Sequence, residues 1–154
     1  MLSYKKTLNK SINKNISVST AESCTGGLLA YNFIKINNSS KIFIAGYITY
    51  SNQSKVKDLN IKQLTLKKFG AVSPETAKEM VRGLYLKNKT DICISTTGIA
   101  GPSGGSKNKP VGLVYICIRF NSKSKIFKKN FKGTRLQIQK KCVDFIFKYL
   151  DKLI

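Results

Sequence analysis

Two potential nucleophiles and a carboxylate lie close together near the N-terminus of this 154-residue chain. Ser23 and Cys24 directly follow Glu22, and the pair Gly26-Gly27 comes next. The apolar run at 16–18 predicts a strand before them, and apolar residues at helical spacing predict a helix after them. The backbone N–H groups of a helix N-terminus bind anions and can stabilise a developing oxyanion. We therefore expect an anion pocket or a nucleophilic site at this junction.

A second unusual segment runs from Gly98 to Pro110 and contains four glycines and two prolines. It has neither the spacing of a Walker A loop nor that of the dinucleotide-binding fingerprint. Loops that follow strand C-termini in open α/β sheets commonly contact ligands. The segment is either such a ligand loop or an ordinary surface loop, and its composition favours ligand contact.

The choice of base for a serine nucleophile is restricted, because the chain contains no histidine. A serine hydroxyl needs a neighbouring base, which leaves lysine, tyrosine or a carboxylate. Ser-x-x-Lys pairs begin at five positions: Ser3, Ser11, Ser54, Ser106 and Ser122. In a lysine-rich chain such pairs arise by chance, so spacing selects no base. Cys24 stays open as an alternative nucleophile, since a helix N-terminus lowers a thiol pKa, or as a small core residue.

The formal charge of +21 results from 28 lysines and arginines against seven acidic residues. Nucleic-acid binding would explain this charge. A mutational bias towards AT-rich codons would explain it too, because the chain is rich in Lys, Asn and Ile and contains only three arginines. The lysines are also spread along the chain. We favour the bias and expect no nucleic-acid partner beyond non-specific charge.

Composition also restricts the class of protein. The length fits one domain over residues 1–154, and 42% hydrophobic residues supply a core. The sequence shows no apolar run of about 20 residues and no signal peptide. We therefore expect a cytoplasmic protein with four reduced cysteines and no membrane partner. The lack of histidine and the few carboxylates argue against a metal site, and we expect no cofactor.

Hydrophobic periodicity predicts a mixture of helices and strands. Helices are expected over residues 2–14, 25–36, 51–59, 61–69, 74–87 and 134–154. Strands are expected over residues 16–19, 41–50, 91–96, 111–120 and 125–131. The last two strands are predicted to form a hairpin that turns at Asn121-Ser122. This pattern predicts an α/β layered domain with one antiparallel edge.

Five motifs follow one another along nearly the whole chain. They are Thr20-Ala21-Glu22-Ser23-Cys24-Thr25-Gly26-Gly27, Gly46-Tyr47-Ile48-Thr49-Tyr50-Ser51-Asn52 with Lys55, Gly70-Ala71-Val72-Ser73, Thr97-Gly98-Ile99-Ala100-Gly101-Pro102-x-Gly104-Gly105 with Lys109-Pro110-Val111-Gly112, and Phe131-x-Gly133-x-Arg135. In this order they resemble the CinA C-terminal domain family, which includes stand-alone nicotinamide mononucleotide deamidases. Agreement at five ordered motifs makes the resemblance far more specific than agreement at any single motif would.

The resemblance implies a three-layer α/β/α sandwich with a mixed sheet, assembly into a homo-oligomer and no metal requirement. It also implies an amidohydrolase that converts nicotinamide mononucleotide and water to nicotinate mononucleotide and ammonia, in pyridine nucleotide recycling. The nucleophilic serine of the family corresponds to Ser23. The tyrosine and the lysine of its catalytic set correspond to Tyr50 and Lys55.

In the implied mechanism, neutral Lys55 takes the proton of Ser23 while Tyr50 bridges or relays it. Whether lysine or tyrosine is the immediate base stays open at this point. Backbone N–H groups would hold the oxyanion, and Arg135 with the helix after Thr25 would hold the 5′-phosphate. The expected substrate contacts are Cys24, Thr25, Gly26, Gly27, Thr97, Gly98, Ile99, Ala100, Gly101 and Arg135.

Two alternatives to the amidohydrolase remain. The first is a catalytically inactive homologue that binds a nucleotide, and the second, which the charge distribution favours less, is a basic nucleic-acid-binding protein. Catalytic turnover would distinguish an enzyme from the inactive homologue. Nucleic-acid binding that persists at physiological salt would indicate the second alternative.

Overall fold

Six α-helices, one short 3₁₀ helix at Ser39–Lys41 and five strands make up the fold of residues 2–154, which are the residues that this computed structural model describes, with side chains from Tyr4 onward. The helices are α1 Leu2–Asn13, α2 Leu28–Ile34, α3 Asn52–Leu59, α4 Gln63–Phe69, α5 Pro74–Asn88 and α6 Arg135–Leu153. The strands are β1 Val18–Glu22, β2 Phe43–Ile48, β3 Ile92–Gly98, β4 Leu113–Phe120 and β5 Lys123–Asn130.

The strands form a single mixed sheet in the order β2-β1-β3-β4-β5. Strands β2, β1 and β3 run parallel, whereas β4 and β5 are antiparallel to their neighbours. Asn121 and Ser122 join the last two strands with φ angles of 49° and 64°, as a tight hairpin turn requires. The predicted hairpin and mixed sheet are therefore confirmed, and the carboxyl ends of three parallel strands meet at one edge.

Helices cover both faces of the sheet, which confirms the three-layer α/β/α sandwich. Helices α1, α2 and α6 pack on one face through a cluster that includes Leu29, Phe33 and Phe147. Helix α5 covers the other face, with Met80 and Leu84 in its cluster, and α3 and α4 pack against it. Because β1 lies between these layers, all five of its residues are buried, as expected for a central parallel strand.

The packing of α3 on α5 depends on one glycine. A Cβ atom at Gly83 would lie 2.0 Å from the carbonyl oxygen of Leu59, the last residue of α3. Since no side chain fits there, Gly83 lets α3 approach the middle of α5 closely. Ser51 accepts a hydrogen bond from the Ser54 N–H and so caps the start of α3, as its position predicts.

Two predicted boundaries near the first motif are wrong. Helix α2 begins at Leu28 and not at residue 25, because residues 23–27 form turns in which Gly26 and Gly27 have φ angles of 56° and 97°. Strand β1 continues to Glu22 and does not end at residue 19, because its last residues pair with both β2 and β3. Among the described helices, none is both long and apolar enough to cross a membrane.

Candidate active site

Ser23 lies immediately after β1, at the edge where the parallel strands end. Its N–H donates to the Thr96 carbonyl at 2.9 Å and extends the pairing with β3 by one residue. The residue is 8% exposed. The sheet therefore holds the main chain of Ser23 directly, and the Ser23 N–H is not available to stabilise an oxyanion.

Glu22, one residue earlier, caps α2 from inside the protein. Its carboxylate accepts hydrogen bonds from the Thr25 hydroxyl at 2.6 Å and from the N–H groups of Gly27, Leu29 and Ala30 at 3.1, 3.0 and 2.8 Å. Glu22 is 1% exposed. These three N–H groups donate to an internal carboxylate and are not available to a substrate phosphate, so phosphate binding at this helix N-terminus stays a prediction without their support.

The first motif contains this carboxylate, but the sequence pattern assigned no role to Glu22. The available signal was an acidic residue just ahead of a helix, where negative charge is favourable. Gly27, the residue before α2, has no side chain with which to cap it. Glu22 therefore replaces the missing cap.

Further hydrogen bonds hold the turn after Ser23. The Thr25 and Thr96 hydroxyls lie 2.7 Å apart, and the side-chain amide of Gln139 on α6 donates to the Cys24 carbonyl at 2.9 Å. The Gly26 N–H donates to the Ser23 carbonyl. In the described part of the chain, the N–H groups of Cys24 and Thr25 donate no hydrogen bond to another residue. They are thus the candidate oxyanion donors of this turn.

Lys55 on α3 reaches Ser23 from the opposite layer. Its Nζ lies 3.0 Å from Ser23 Oγ, 2.7 Å from the Thr49 carbonyl oxygen and 3.4 Å from that of Tyr50. The side chain is 1% exposed, and burial lowers the lysine pKa to about 8. In the neutral amine, two N–H groups can donate to the two carbonyls while the lone pair accepts the Ser23 proton. The structure thus brings Ser23 and Lys55 into hydrogen-bond contact, the arrangement that a serine nucleophile and its base would require.

Cys24 has the opposite electrostatic environment. Burial raises the pKa of its thiol to about 12, so of the two alternatives left open for Cys24 the small core residue fits better than the activated nucleophile. A protonated thiol is a poor nucleophile. Between the two candidates of this motif, the geometry and the pKa values favour Ser23.

Tyr50 and Arg135 form the outer part of the site together with the glycine-rich loop. Arg135 donates to the Tyr50 hydroxyl at 3.1 Å and to the Gly101 carbonyl at 2.8 Å. Tyr50 is 63% exposed, and its hydroxyl bonds to Arg135, whereas its main-chain carbonyl faces Lys55. A relay through the Tyr50 hydroxyl therefore stays a prediction, since the described contacts do not link it to Ser23 or Lys55.

The start of the glycine-rich loop is part of the scaffold. The Thr97 hydroxyl donates to the Ala71 carbonyl at 2.7 Å, and a Cβ atom at Gly98 would lie 2.6 Å from the Leu113 oxygen. The Ile99 N–H also donates to that oxygen. Ala100 and Gly101 come next, and their N–H groups have no protein acceptor among the described residues. Substrate contact by this loop remains a prediction, and these last two residues suit it best.

The described residues contain no group of three or more His, Cys, Asp or Glu side chains that could hold a metal ion. All four cysteines are free and buried. The side chains that the described contacts connect at the site are those of Ser23 with Lys55 and of Tyr50 with Arg135.

The fold and the site define an α/β domain with a buried Ser–Lys pair above a mixed sheet. Residues 3–154 match the model of the CinA C-terminal domain family, and the chain belongs to this family.

A CinA-like protein from Fusobacterium nucleatum is 52% identical over 130 residues, which are 84% of this chain and 31% of that protein. A Clostridium botulinum protein named as competence-damage inducible is 46% identical over 92% of this chain and 36% of its own length. The chain thus spans about a third of the length of these curated relatives.

Solved structures show the same fold at nearly full length. A CinA superfamily protein from Escherichia coli has a TM-score of 0.93 at 30% identity, covering 99% of this chain and 88% of that chain. A competence/damage inducible protein from Agrobacterium tumefaciens has a TM-score of 0.91 at 34% identity, covering 98% of this chain and 95% of that chain. The architecture described above is therefore that of the CinA superfamily.

Replacing Glu22 by glutamine tests the internal cap. The amide would place an NH₂ donor against N–H groups that now donate to a carboxylate oxygen, so we expect Glu22→Gln to lower the free energy of unfolding by about 2–4 kcal/mol. Chemical denaturation measures this loss. Glu75→Gln in the first turn of α5 is the control and should cost at most about 1 kcal/mol. Equal losses in both variants would contradict a special role for Glu22.

Proposed function

We propose that this chain is an amidohydrolase that converts nicotinamide mononucleotide and water to nicotinate mononucleotide and ammonia, in pyridine nucleotide recycling in the cytoplasm. The observation that carries the proposal is the 3.0 Å contact between Lys55 Nζ and Ser23 Oγ in a buried site. Family membership and the ordered motifs support the choice of substrate. Homo-oligomeric assembly, which the resemblance implies, stays a prediction.

The first chemical step is attack by Ser23 on the carboxamide carbon. Neutral Lys55 accepts the hydroxyl proton, and the N–H groups of Cys24 and Thr25 stabilise the oxyanion. One such donor contributes about 100- to 1,000-fold in rate. The Lys55 ammonium then returns its proton to the leaving nitrogen, so that ammonia departs and an acyl-Ser23 ester remains.

The second step removes the acyl group from Ser23. Lys55, neutral again, accepts a proton from water, and the resulting hydroxide attacks the ester carbon. Collapse of this intermediate releases the carboxylate product while Lys55 returns a proton to Ser23 Oγ. One amide bond and one water are thus consumed for each carboxylic acid and ammonia formed.

Burial makes lysine an effective base near neutral pH. With a pKa of about 8, about 10% of Lys55 is neutral at pH 7, compared with less than about 0.1% for a lysine of ordinary pKa. The backbone carbonyls of Thr49 and Tyr50 orient the amine. The immediate base in this proposal is therefore Lys55, and Tyr50 helps to hold Arg135.

Arg135 is the candidate partner of the 5′-phosphate. Its two hydrogen bonds to Gly101 and Tyr50 use two of the five guanidinium N–H donors. The others remain free for a phosphate, which a guanidinium binds in a bidentate manner. Since Arg135 directly follows the cap of α6, its backbone position is well defined.

Removal of the nucleophile or of the base should abolish turnover. We expect Ser23→Ala and Lys55→Met each to reduce ammonia release from nicotinamide mononucleotide by about 1,000-fold or more. Lys57→Met, on an exposed position of the same helix, is the matched control and should retain activity, as should Cys24→Ala. A folded wild-type protein that binds the nucleotide but releases no ammonia would instead be the inactive homologue.

The pH dependence of the reaction should report the titration of Lys55. Because the neutral amine is the active form, kcat/KM should increase with pH up to an apparent pKa of about 8 and fall about tenfold for each pH unit below it. Steady-state rates between pH 6 and 9 measure this. A flat profile over that range would exclude Lys55 as the base.

Arg135 should affect binding of phosphorylated substrates only. We expect Arg135→Gln to raise KM for nicotinamide mononucleotide by about 10- to 100-fold, as loss of a charge-assisted hydrogen bond predicts, with a small change in kcat. Nicotinamide riboside, which lacks the phosphate, serves as the control substrate, and its kcat/KM should hardly change. An equal loss with both substrates would assign Arg135 a structural role.

A further inference from the structure

A cavity lined by cationic side chains lies away from Ser23, between α5 and the β4–β5 hairpin. Its volume is about 300 Å³, and we call it the α5 groove, lined by Lys78, Arg82, Tyr85, Arg119 and Ser124 among others. The first three residues share one face of α5, because they are four and three positions apart. Arg119 and Ser124 are cross-strand partners on the hairpin, so cationic residues from two separate elements border one cavity.

The arginine content of the groove is unusual for this chain. Only three arginines occur in 154 residues, and two of them, Arg82 and Arg119, line this cavity. A bias towards AT-rich codons explains many lysines but not two converging arginines. The planar guanidinium matches the geometry of phosphate and binds it through paired N–H groups. The groove thus carries a binding chemistry that overall composition does not explain.

Arg119 is held in an orientation that leaves its hydrogen-bond donors available. Its guanidinium carbon lies 3.5 Å from the centre of the Tyr85 ring, and Lys89 Nζ lies 4.8 Å from the same centre. Stacking uses the face of the guanidinium and not its N–H edge. Within the described residues, the side chains of Lys78, Arg82 and Arg119 donate no hydrogen bond to a protein group.

Within the part of the chain that the structure describes, the one carboxylate that lines the groove forms no ion pair with these cations. This carboxylate belongs to Glu79, and its two oxygens accept hydrogen bonds from the Lys62 N–H at 2.8 Å and the Thr65 hydroxyl at 2.5 Å. The ion pairs of the described residues both involve Asp151 on α6. Three cationic side chains against one carboxylate therefore leave the groove with a net positive charge, and none of the three forms an ion pair among the described residues.

The α5 groove is separate from the site around Ser23. Arg119 pairs with Cys93 on β3, three residues before Thr96, which holds the Ser23 main chain. Three residues along a strand correspond to about 10 Å, and the groove lies one strand further from β1. Its volume is at the small end for ligand pockets. We propose that the α5 groove is a second binding site, which binds the phosphate group of a small phosphorylated molecule.

A titration of ¹⁵N-labelled protein with inorganic phosphate and with pyrophosphate at 150 mM NaCl tests this site. The amide signals of Tyr85, Arg119 and Ser124 should shift in a saturable manner. Arg119→Gln should weaken binding at these signals at least tenfold, and Arg119→Lys, which keeps the charge but loses the planar fork, about threefold or more. Lys148→Gln, which removes one exposed charge from α6, should leave the affinity unchanged.

Three results would overturn the proposal. Shifts confined to Gly101 and Arg135 would mean that phosphate binds only beside Ser23. Equal weakening by Arg119→Gln and Lys148→Gln would mean a response to net charge. Binding of a single-stranded oligonucleotide without any binding of phosphate or pyrophosphate would assign the groove to nucleic acid. Ammonia release by Arg119→Gln should match the wild type, so this test does not depend on the proposed reaction.

Discussion

The site depends on the hydrogen bonds that the buried carboxylate of Glu22 accepts. This carboxylate is almost fully removed from solvent, and its hydrogen-bond donors are the Thr25 hydroxyl and three N–H groups at the start of α2. A charge in such a place is tolerated only when hydrogen bonds and a helix dipole compensate the lost hydration. The same bonds tie the last residue of β1 to the first turn of α2. The position of Ser23 between them is a consequence of where this charge is stabilised.

The base is positioned by different elements from those that position the nucleophile. Ser23 directly follows β1, in the turn that α2 and α6 hold on one face, whereas Lys55 belongs to α3, which packs on α5 over the other face. Gly83 allows this packing because it leaves room for the Leu59 carbonyl. The two side chains can meet only beyond the end of the parallel strands, where the layers no longer have a sheet between them. Catalytic geometry at this place requires the complete sandwich.

Periodicity and end signals were sufficient to predict the elements, the hairpin and the layered class, because these depend on local patterns. They failed at the end of β1 and the start of α2, where the bonds of Glu22 to backbone groups override local preference. Spacing also left the base of Ser23 undecided, since Lys55 lies 32 positions away and only the family motifs connect the two. The high pKa of the Cys24 thiol follows from burial, which a sequence pattern does not reveal.

Arg135 joins three motifs that are distant in the sequence, since it bonds to Tyr50 in the second and to Gly101 in the fourth. Residues that share a hydrogen-bond network have effects that do not add. A substitution at one of these three positions therefore changes what is tolerated at the other two. Such epistasis would make substitutions at these three positions occur together in evolution, although they lie in three separate motifs.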